Sequence, residues 1–186
     1  MTLRVIAGKA KGRKLKSVPG DTTRPVTDRV KEALFNILAG DVIDSHWWDL
    51  FGGTGAIGIE ALSRGAEFVR FTDSNRAPIE TIRSNVEQCG FSKQCGILRG
   101  DAFTFLSGAP DRHFEYIYIA PPQYKEMWLK ALELIDENLN WLSDDGWVIA
   151  QIDPKEYKSL SLENLEEFEQ RKYGSTLLVF YERKNQ

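Results

Sequence analysis

From Trp47 onward the chain repeats one pattern, a short apolar run, a turn, then a stretch with helical spacing, and its first turn is the glycine-rich GGTGAIG. WWDLF reads as the first strand, and residues 57–62 belong to a helix stopped near Gly65. FVRFTD, a helix over about 78–89, a strand at 96–99 and a short helix around 103–106 continue the series. FEYIYIA is rich enough in β-branched and aromatic residues to lie centrally in a sheet. The spacing then predicts a long amphipathic helix over 127–142, a fifth strand in GWVIAQI, and an antiparallel pair at 165–173 and 176–181. Such alternation implies an α/β fold, an open and mostly parallel sheet covered on both faces. Ligands of such sheets lie beyond the carboxyl ends of the strands, where the strand order reverses. With 186 residues, 42% of them hydrophobic, residues 1–186 are expected to form one domain.

The N-terminal region has a different character. Residues 1–31 carry nine Lys and Arg against Asp21 and Asp28, a balance of +7, so the rest of a chain of net charge −3 sums to −10. That asymmetry suits a polyanion at one end. Residues 3–7 and 14–18 read as strands of a basic hairpin around GKAKGR, making 1–26 an extension of the domain. Thr27 or Asp28 can cap a helix carrying Val30, Ala33, Leu34, Ile37 and Leu38, ended by Gly40. No run of about 18 apolar residues occurs and the first sixteen residues contain no secretory core, so a soluble, cytoplasmic protein that engages no membrane is expected. Cys89 and Cys95 are not a CxxC pair and His46 and His113 lie far apart, so no metal site is expected.

GGTGAIG contains GxGxxG spacing at Gly53, Gly55 and Gly58, and a Cβ there would obstruct both the tight turn and an approaching ligand. Asp73 follows Gly53 by 20 residues, at the end of the next strand, where a carboxylate can accept from both hydroxyls of a ribose or can cap a helix. A dinucleotide needs surroundings that suit a pyrophosphate, whereas S-adenosyl-L-methionine (AdoMet) brings a cationic sulfonium. Asp49, four residues before Gly53, suits that cation. Asp101 can accept from an adenine amino group, with the Ala102 N–H serving a ring nitrogen, or can cap the short helix. Three carboxylates at three strand ends favour AdoMet over NAD, and no hydride-transfer acid–base pair supports an oxidoreductase.

RVIAGKAKGRKL, TRPVTDRVKEALFNIL, DLFGGTGAIGIEALSRGA and GDAFTFL resemble, in order and spacing, the RsmD-type 16S ribosomal RNA guanine-N2 methyltransferases of bacteria. The resemblance covers nearly the whole chain. It implies a class I methyltransferase fold: a Rossmann-like, seven-stranded, mostly parallel sheet with an antiparallel last strand, preceded by an N-terminal β-hairpin. It further implies AdoMet as cofactor and 16S ribosomal RNA, within the small subunit or an assembly intermediate, as partner. Phe51, Gly53 and Gly55 match the cofactor turn, Asp73 the ribose carboxylate and Asp101 the adenine contact. Thr23, Arg24 and Pro25 match a loop over the cofactor or the target nucleotide. Arg4, Lys9, Lys11, Arg13, Lys14 and Arg24 become the residues expected to meet RNA.

The resemblance breaks at APPQY, residues 120–124, where the family pattern is Asp-Pro-Pro followed by Phe or Tyr. Ala120 replaces the aspartate, and Gln123 takes the aromatic position with Tyr124 one place later. Guanine N2 has a delocalised lone pair, and acceptors aimed at its hydrogens favour its developing charge. The Pro121 carbonyl can still accept; an alanine methyl cannot. Losing one charged hydrogen bond, about 1.5–3 kcal/mol, slows a reaction by roughly 10- to 150-fold. The loop is therefore expected to remain catalytic through Pro121, Pro122, Gln123 and Tyr124, with Gln123 as substitute acceptor and Tyr124 stacking on the base. Transfer to an amino group of another RNA or DNA, and a noncatalytic AdoMet- or RNA-binding role, are the alternatives that Ala120 leaves open. Trp47 and Trp48 should point to opposite faces of their strand, and they, Trp128 and Trp141 read as core.

Overall fold

The structure, a computed structural model, describes residues 2–21 and 25–185. Seven strands form one sheet: β1 (His46–Asp49), β2 (Phe68–Asp73), β3 (Cys95–Arg99), β4 (Phe114–Ile119), β5 (Leu142–Ile152), β6 (Leu165–Tyr173) and β7 (Thr176–Arg183). Their order is β3-β2-β1-β4-β5-β7-β6. β1 to β5 pair in parallel, and β7 runs antiparallel to both β5 and β6. Strand order reverses between β1 and β4, so the loops leaving those two strands diverge and open a crevice.

Helices α1 (Asp28–Leu38), α2 (Ala56–Ser63) and α3 (Arg76–Cys89) build one core layer, and α4 (Ala102–Ser107) and α5 (Met127–Glu137) the other. Trp47 and Trp48, both 0% exposed, divide between the layers as strand alternation requires. Trp47 stacks on Phe35 at 5.5 Å, while Trp48 meets the edge of Trp141 at 4.8 Å. The Trp48 indole N–H donates to Thr72 Oγ1 at 3.1 Å, and that hydroxyl donates to Leu50 O at 2.6 Å, so both of these buried side-chain groups are satisfied. Trp128 and Trp141 are buried as expected.

Thr27 caps α1, its hydroxyl accepting the Val30 N–H at 3.2 Å. The helix ends at Leu38, two residues before Gly40, because Ala39 turns to φ 47°. The expected helix over 127–142 is shorter: α5 stops at Glu137, a 3₁₀ turn spans Leu139–Trp141, and β5 begins four residues earlier than the glycine suggested. Asn138 is the break. Its side-chain N–H groups donate to Leu106 O at 3.2 Å and Gly108 O at 2.9 Å, and the Trp141 indole donates to Leu106 O at 3.0 Å.

The N-terminal hairpin forms without regular strands. One bridge joins Arg4 to Lys14, flanked by Val5 N–H to Arg13 O at 2.9 Å and Leu15 N–H to Leu3 O at 2.8 Å. Helix α2 holds it: Glu60, 0% exposed, accepts the Ile6 N–H at 2.7 Å and the Ala7 N–H at 3.2 Å. Ser63 Oγ accepts the Ala10 N–H at 2.9 Å and donates to Ala7 O at 2.6 Å. A Cβ on Gly8 would lie 1.9 Å from Ser63 O, so only glycine permits this close docking. Lys31, counted in the sequence among the charges facing a polyanion, is 0% exposed and paired with Glu60 at 3.4 Å; it is a core residue.

Candidate functional site

The crevice is a cavity of about 790 Å³ at the carboxyl ends of the strands, within the range of cofactor pockets. Phe51, Gly53, Asp73, Asp101 and Ala102 line it on the β1–β3 side. Ala120, Pro121, Pro122 and Gln123 line it on the β4 side, and Gln151 and Ile152 at the end of β5. Val18 to Asp21, the run leaving the N-terminal hairpin, form a further wall.

Three glycines in the turn do different things. Gly53 has φ 57°, and a Cβ there meets no atom within 4 Å, so the turn leaves its ligand-facing side clear. Gly55 has φ 82°, caps α2 and lies off the wall, its N–H bonded to Gly52 O at 2.8 Å. Gly58 faces the sheet: a Cβ would come within 2.3 Å of the Phe71 ring, so glycine here lets α2 lie close on β2.

Asp73 ties the turn to β2. One carboxylate oxygen accepts the Gly53 N–H at 3.1 Å and the other accepts the Asn75 N–H at 3.0 Å. Each oxygen keeps a lone pair, enough for two vicinal hydroxyls. Asp101 is the N-cap of α4, its Oδ1 accepting from Phe103 N at 2.7 Å and Thr104 N at 3.3 Å. Capping occupies Oδ1 and leaves Oδ2 to a ligand, and Ala102 is the first helical residue, whose N–H lacks an intrahelical partner. Capping and ligand binding are thus compatible at Asp101. Phe51 and Phe103 meet edge to face at 6.2 Å between these groups and give an apolar wall suited to a flat ring.

Asp49 is placed differently from the expectation. It is 3% exposed and off the cavity wall, beneath the turn, accepting the Gly58 N–H at 3.3 Å. Burial pushes its carboxyl well above the usual range, the Gly58 N–H opposes this, and the charge of Asp73 adds to it. Its direct contact is the start of α2.

On the β4 side, Pro121, Pro122 and Gln123 reach the cavity, and the Gln123 carboxamide has no hydrogen-bond partner among the described residues. Tyr124 does not reach the wall. It is 64% exposed, with φ 63°, and its hydroxyl donates to Asp153 Oδ2 at 2.9 Å while its N–H donates to Glu156 Oε1 at 2.6 Å. Asp153 and Glu156 form a capping box on the 3₁₀ turn after β5, so that turn latches the proline loop. The expectation of a base-stacking Tyr124 rests on its place after the fourth strand, one residue beyond the family's aromatic position; in the structure the side chain is turned to Asp153 instead.

Among the expected RNA contacts, Lys9, Lys11, Arg13 and Lys14 are exposed and make no ion pair among the described residues. Arg4 is paired with Asp28 at 3.0 Å. Thr23 and Arg24 lie outside the described residues, so their expected place over the site is not among the structural findings. Sequence reasoning missed Val18 to Asp21 as a wall, and it missed Gln151. The signal for Gln151 was available: it is the one polar side chain in WVIAQI. Among the described residues, no group of His, Cys, Asp and Glu is arranged to hold a metal, and no helix is long and apolar enough to cross a membrane.

The residues present fit AdoMet. The side of Gly53 open to the cavity, the carboxylates of Asp73 and Asp101 on its wall and the aromatic surface between them suit an adenosine bearing a positive charge. Comparisons with known proteins agree. The model of a family described as conserved hypothetical protein 95 matches residues 3–182. A Bacillus subtilis protein named "Putative rRNA methyltransferase YlbH" is 38% identical over 184 residues, covering 98% of this chain and 100% of its own. The Haemophilus influenzae protein "Ribosomal RNA small subunit methyltransferase D" is 33% identical over 152 residues, covering 80% of this chain and 78% of its own. Among solved structures, "Putative methyltransferase yhhF from Escherichia coli" superposes with a TM-score of 0.86 at 27% identity, covering 100% of both chains.

Proposed function

The chain belongs to the family described as conserved hypothetical protein 95 and is a class I AdoMet-dependent methyltransferase homologous to the RsmD-type enzymes, and from this we infer that it methylates the exocyclic N2 amino group of a guanine in 16S ribosomal RNA. One observation supports this reading above the others: a single cavity has the Gly53, Asp73 and Asp101 constellation on one side and Pro121 to Gln123 on the other. Bound there, AdoMet supplies an electrophilic methyl group on its sulfonium. Asp73 would take the ribose hydroxyls, Asp101 and Ala102 the adenine edge, and Phe51 and Phe103 would give the apolar wall beside its ring. The Pro121 carbonyl accepts from the target amino group and turns the nitrogen toward the donor side of the cavity. Lys9, Lys11, Arg13 and Lys14 meet RNA phosphates beside it, in the cytoplasm, on the small subunit or an assembly intermediate.

The test is transfer of labelled methyl groups from AdoMet to purified small subunits and to their assembly intermediates, followed by digestion and identification of the labelled nucleoside. N2-methylguanosine is the expected product. Label on adenine N6, or folded protein that binds AdoMet and labels no ribosomal RNA, would each overturn the reading.

A further inference from the structure

The missing acid at position 120 lies beside a polar side chain with no role so far. The register of β4 and β5 pairs Ile119 with Ala150, so Ala120 and Gln151 are the next residues beyond the paired ends. Both line the cavity. Gln151 is half-buried, and its Oε1 accepts a hydrogen bond from the hydroxyl of Tyr118, which is 1% exposed.

A phenol buried this deeply must place its proton on an acceptor, and Oε1 is the one it meets. The Tyr118 hydroxyl stays protonated, because burial and then the nearby Asp49 both push it well above its usual range. The carboxamide is therefore oriented: its oxygen is committed to Tyr118, and its Nε2 group keeps two N–H donors without a partner among the described residues. Gln123 differs. It rides on a loop and nothing among the described residues holds its amide, whereas Gln151 sits in a central strand and is tied at one end. Side chains on rigid elements with a supporting hydrogen bond are the ones that can read a base.

Guanine carries its N2 amino group next to N3, a ring nitrogen that accepts hydrogen bonds. Building on the function proposed above, we propose that Gln151 is a base-reading residue, its Nε2 donating to N3 of the target guanine while the Pro121 carbonyl accepts from the N2 amino group. Donor and acceptor then come from neighbouring strand ends, and together they match one edge of one base. This replaces Gln123 as the principal carboxamide of the site.

Two measurements decide it. In ¹⁵N-labelled protein saturated with S-adenosylhomocysteine, the Gln151 side-chain amide resonance is expected to shift on titration with guanosine 5′-monophosphate and to stay put with the 3-deaza analogue. In single-turnover methylation of small subunits at saturating AdoMet, Gln151→Glu, which sets a carboxylate against a ring lone pair, is expected to slow transfer by about 10- to 100-fold. Because AdoMet is saturating, any change in its affinity caused by a new carboxylate in a cavity that takes a cationic sulfonium does not enter this rate. Tyr118→Phe, which only frees the amide to rotate, should slow transfer by roughly 2- to 10-fold. An unmoved Gln151 resonance, equal shifts with both nucleotides, or a Gln151→Glu rate equal to wild type would overturn the proposal. If wild type methylates no guanine, the function reading fails by itself, and the amide titration still decides whether Gln151 reads the base.

Discussion

Asn85, 0% exposed within α3, grips Lys16 by both backbone groups: its Oδ1 accepts the Lys16 N–H at 2.8 Å and its Nδ2 donates to Lys16 O at 3.0 Å. The same Nδ2 lies 2.9 Å from Thr54 O, inside the cofactor turn. One side chain thus joins the basic hairpin to the glycine turn. Asn85→Ala is expected to lower stability by about 1–3 kcal/mol, the usual cost of unpairing a buried amide network, and to weaken AdoMet binding. Denaturant titration and calorimetry check the two effects, and unchanged AdoMet affinity would mean that the turn keeps its shape without this tie.

Asp73 and Asp101 should both be needed for the cofactor. Asp73→Ala is expected to have the larger effect, because it also releases the Gly53 and Asn75 N–H groups. At about 1.5–3 kcal/mol per charged hydrogen bond, each change should weaken AdoMet by at least roughly tenfold. Calorimetry showing wild-type affinity in both variants would remove the cofactor assignment.

Asp49 gives a pH dependence with a defined sign. Its carboxyl is raised in the folded protein by burial, so the folded state holds the proton more tightly than the unfolded chain does. Stability should therefore fall as pH rises from about 4, the ordinary carboxylate value, through the folded value. Asp49→Asn cannot ionise, and its advantage in Tm over wild type should be present at neutral pH and shrink as pH approaches that lower limit. A difference in Tm that is constant across this range would assign Asp49 a folded pKa near its unfolded one.

Lys9, Lys11, Arg13 and Lys14 are presented together on a hairpin that α2 and α3 hold in place. Neutral substitutions at all four should reduce the salt dependence of RNA binding, the slope of log K against log salt falling by up to about 0.9 for each phosphate no longer neutralised. AdoMet affinity should be unaffected. An unchanged slope would make this surface ordinary solvated charge.

The latch on the proline loop can be tested separately from the base. Tyr124→Phe removes the bond to Asp153 but leaves the Tyr124 N–H on Glu156, whereas Glu156→Gln weakens the latter. Single-turnover rates should fall modestly in each, by roughly 2- to 10-fold, and further in the double variant. Tyr124→Ala behaving like Tyr124→Phe would show that the hydroxyl, and not base stacking, is what the residue contributes.

The parts of the fold legible from sequence were those bounded by turn chemistry. FVRFTD is β2 residue for residue because glycine and alanine precede it and a helix start follows. The α5–β5 junction was not legible because Leu139, Trp141 and Leu142 all pack into the core layer that α5 itself faces, and nothing local shows that Asn138 reaches across to Leu106 and Gly108. Lys31 counts as surface charge in a balance of composition although it shares a helical face with Leu34, Phe35 and Leu38; that spacing was readable, but its partner Glu60 is 29 positions away. In the site, the glycine spacing and the strand ends pointed to Gly53, Asp73 and Asp101, and the structure brings all three to the wall of one cavity. Gln151 belongs to no motif, and its meaning depends on strand register, which sequence does not carry.

The anchoring of the hairpin also sets an order of events during synthesis. Its ties run from Ile6 to Glu60 and from Ala10 to Ser63, 54 and 53 positions apart, and from Lys16 to Asn85, 69 positions apart. These residues emerge before the groups that hold them, and the hairpin closes only when α2 and α3 have followed. Until then the basic segment is an unanchored stretch of positive charge, without the acidic Glu60 that later receives its Ile6 and Ala7 N–H groups.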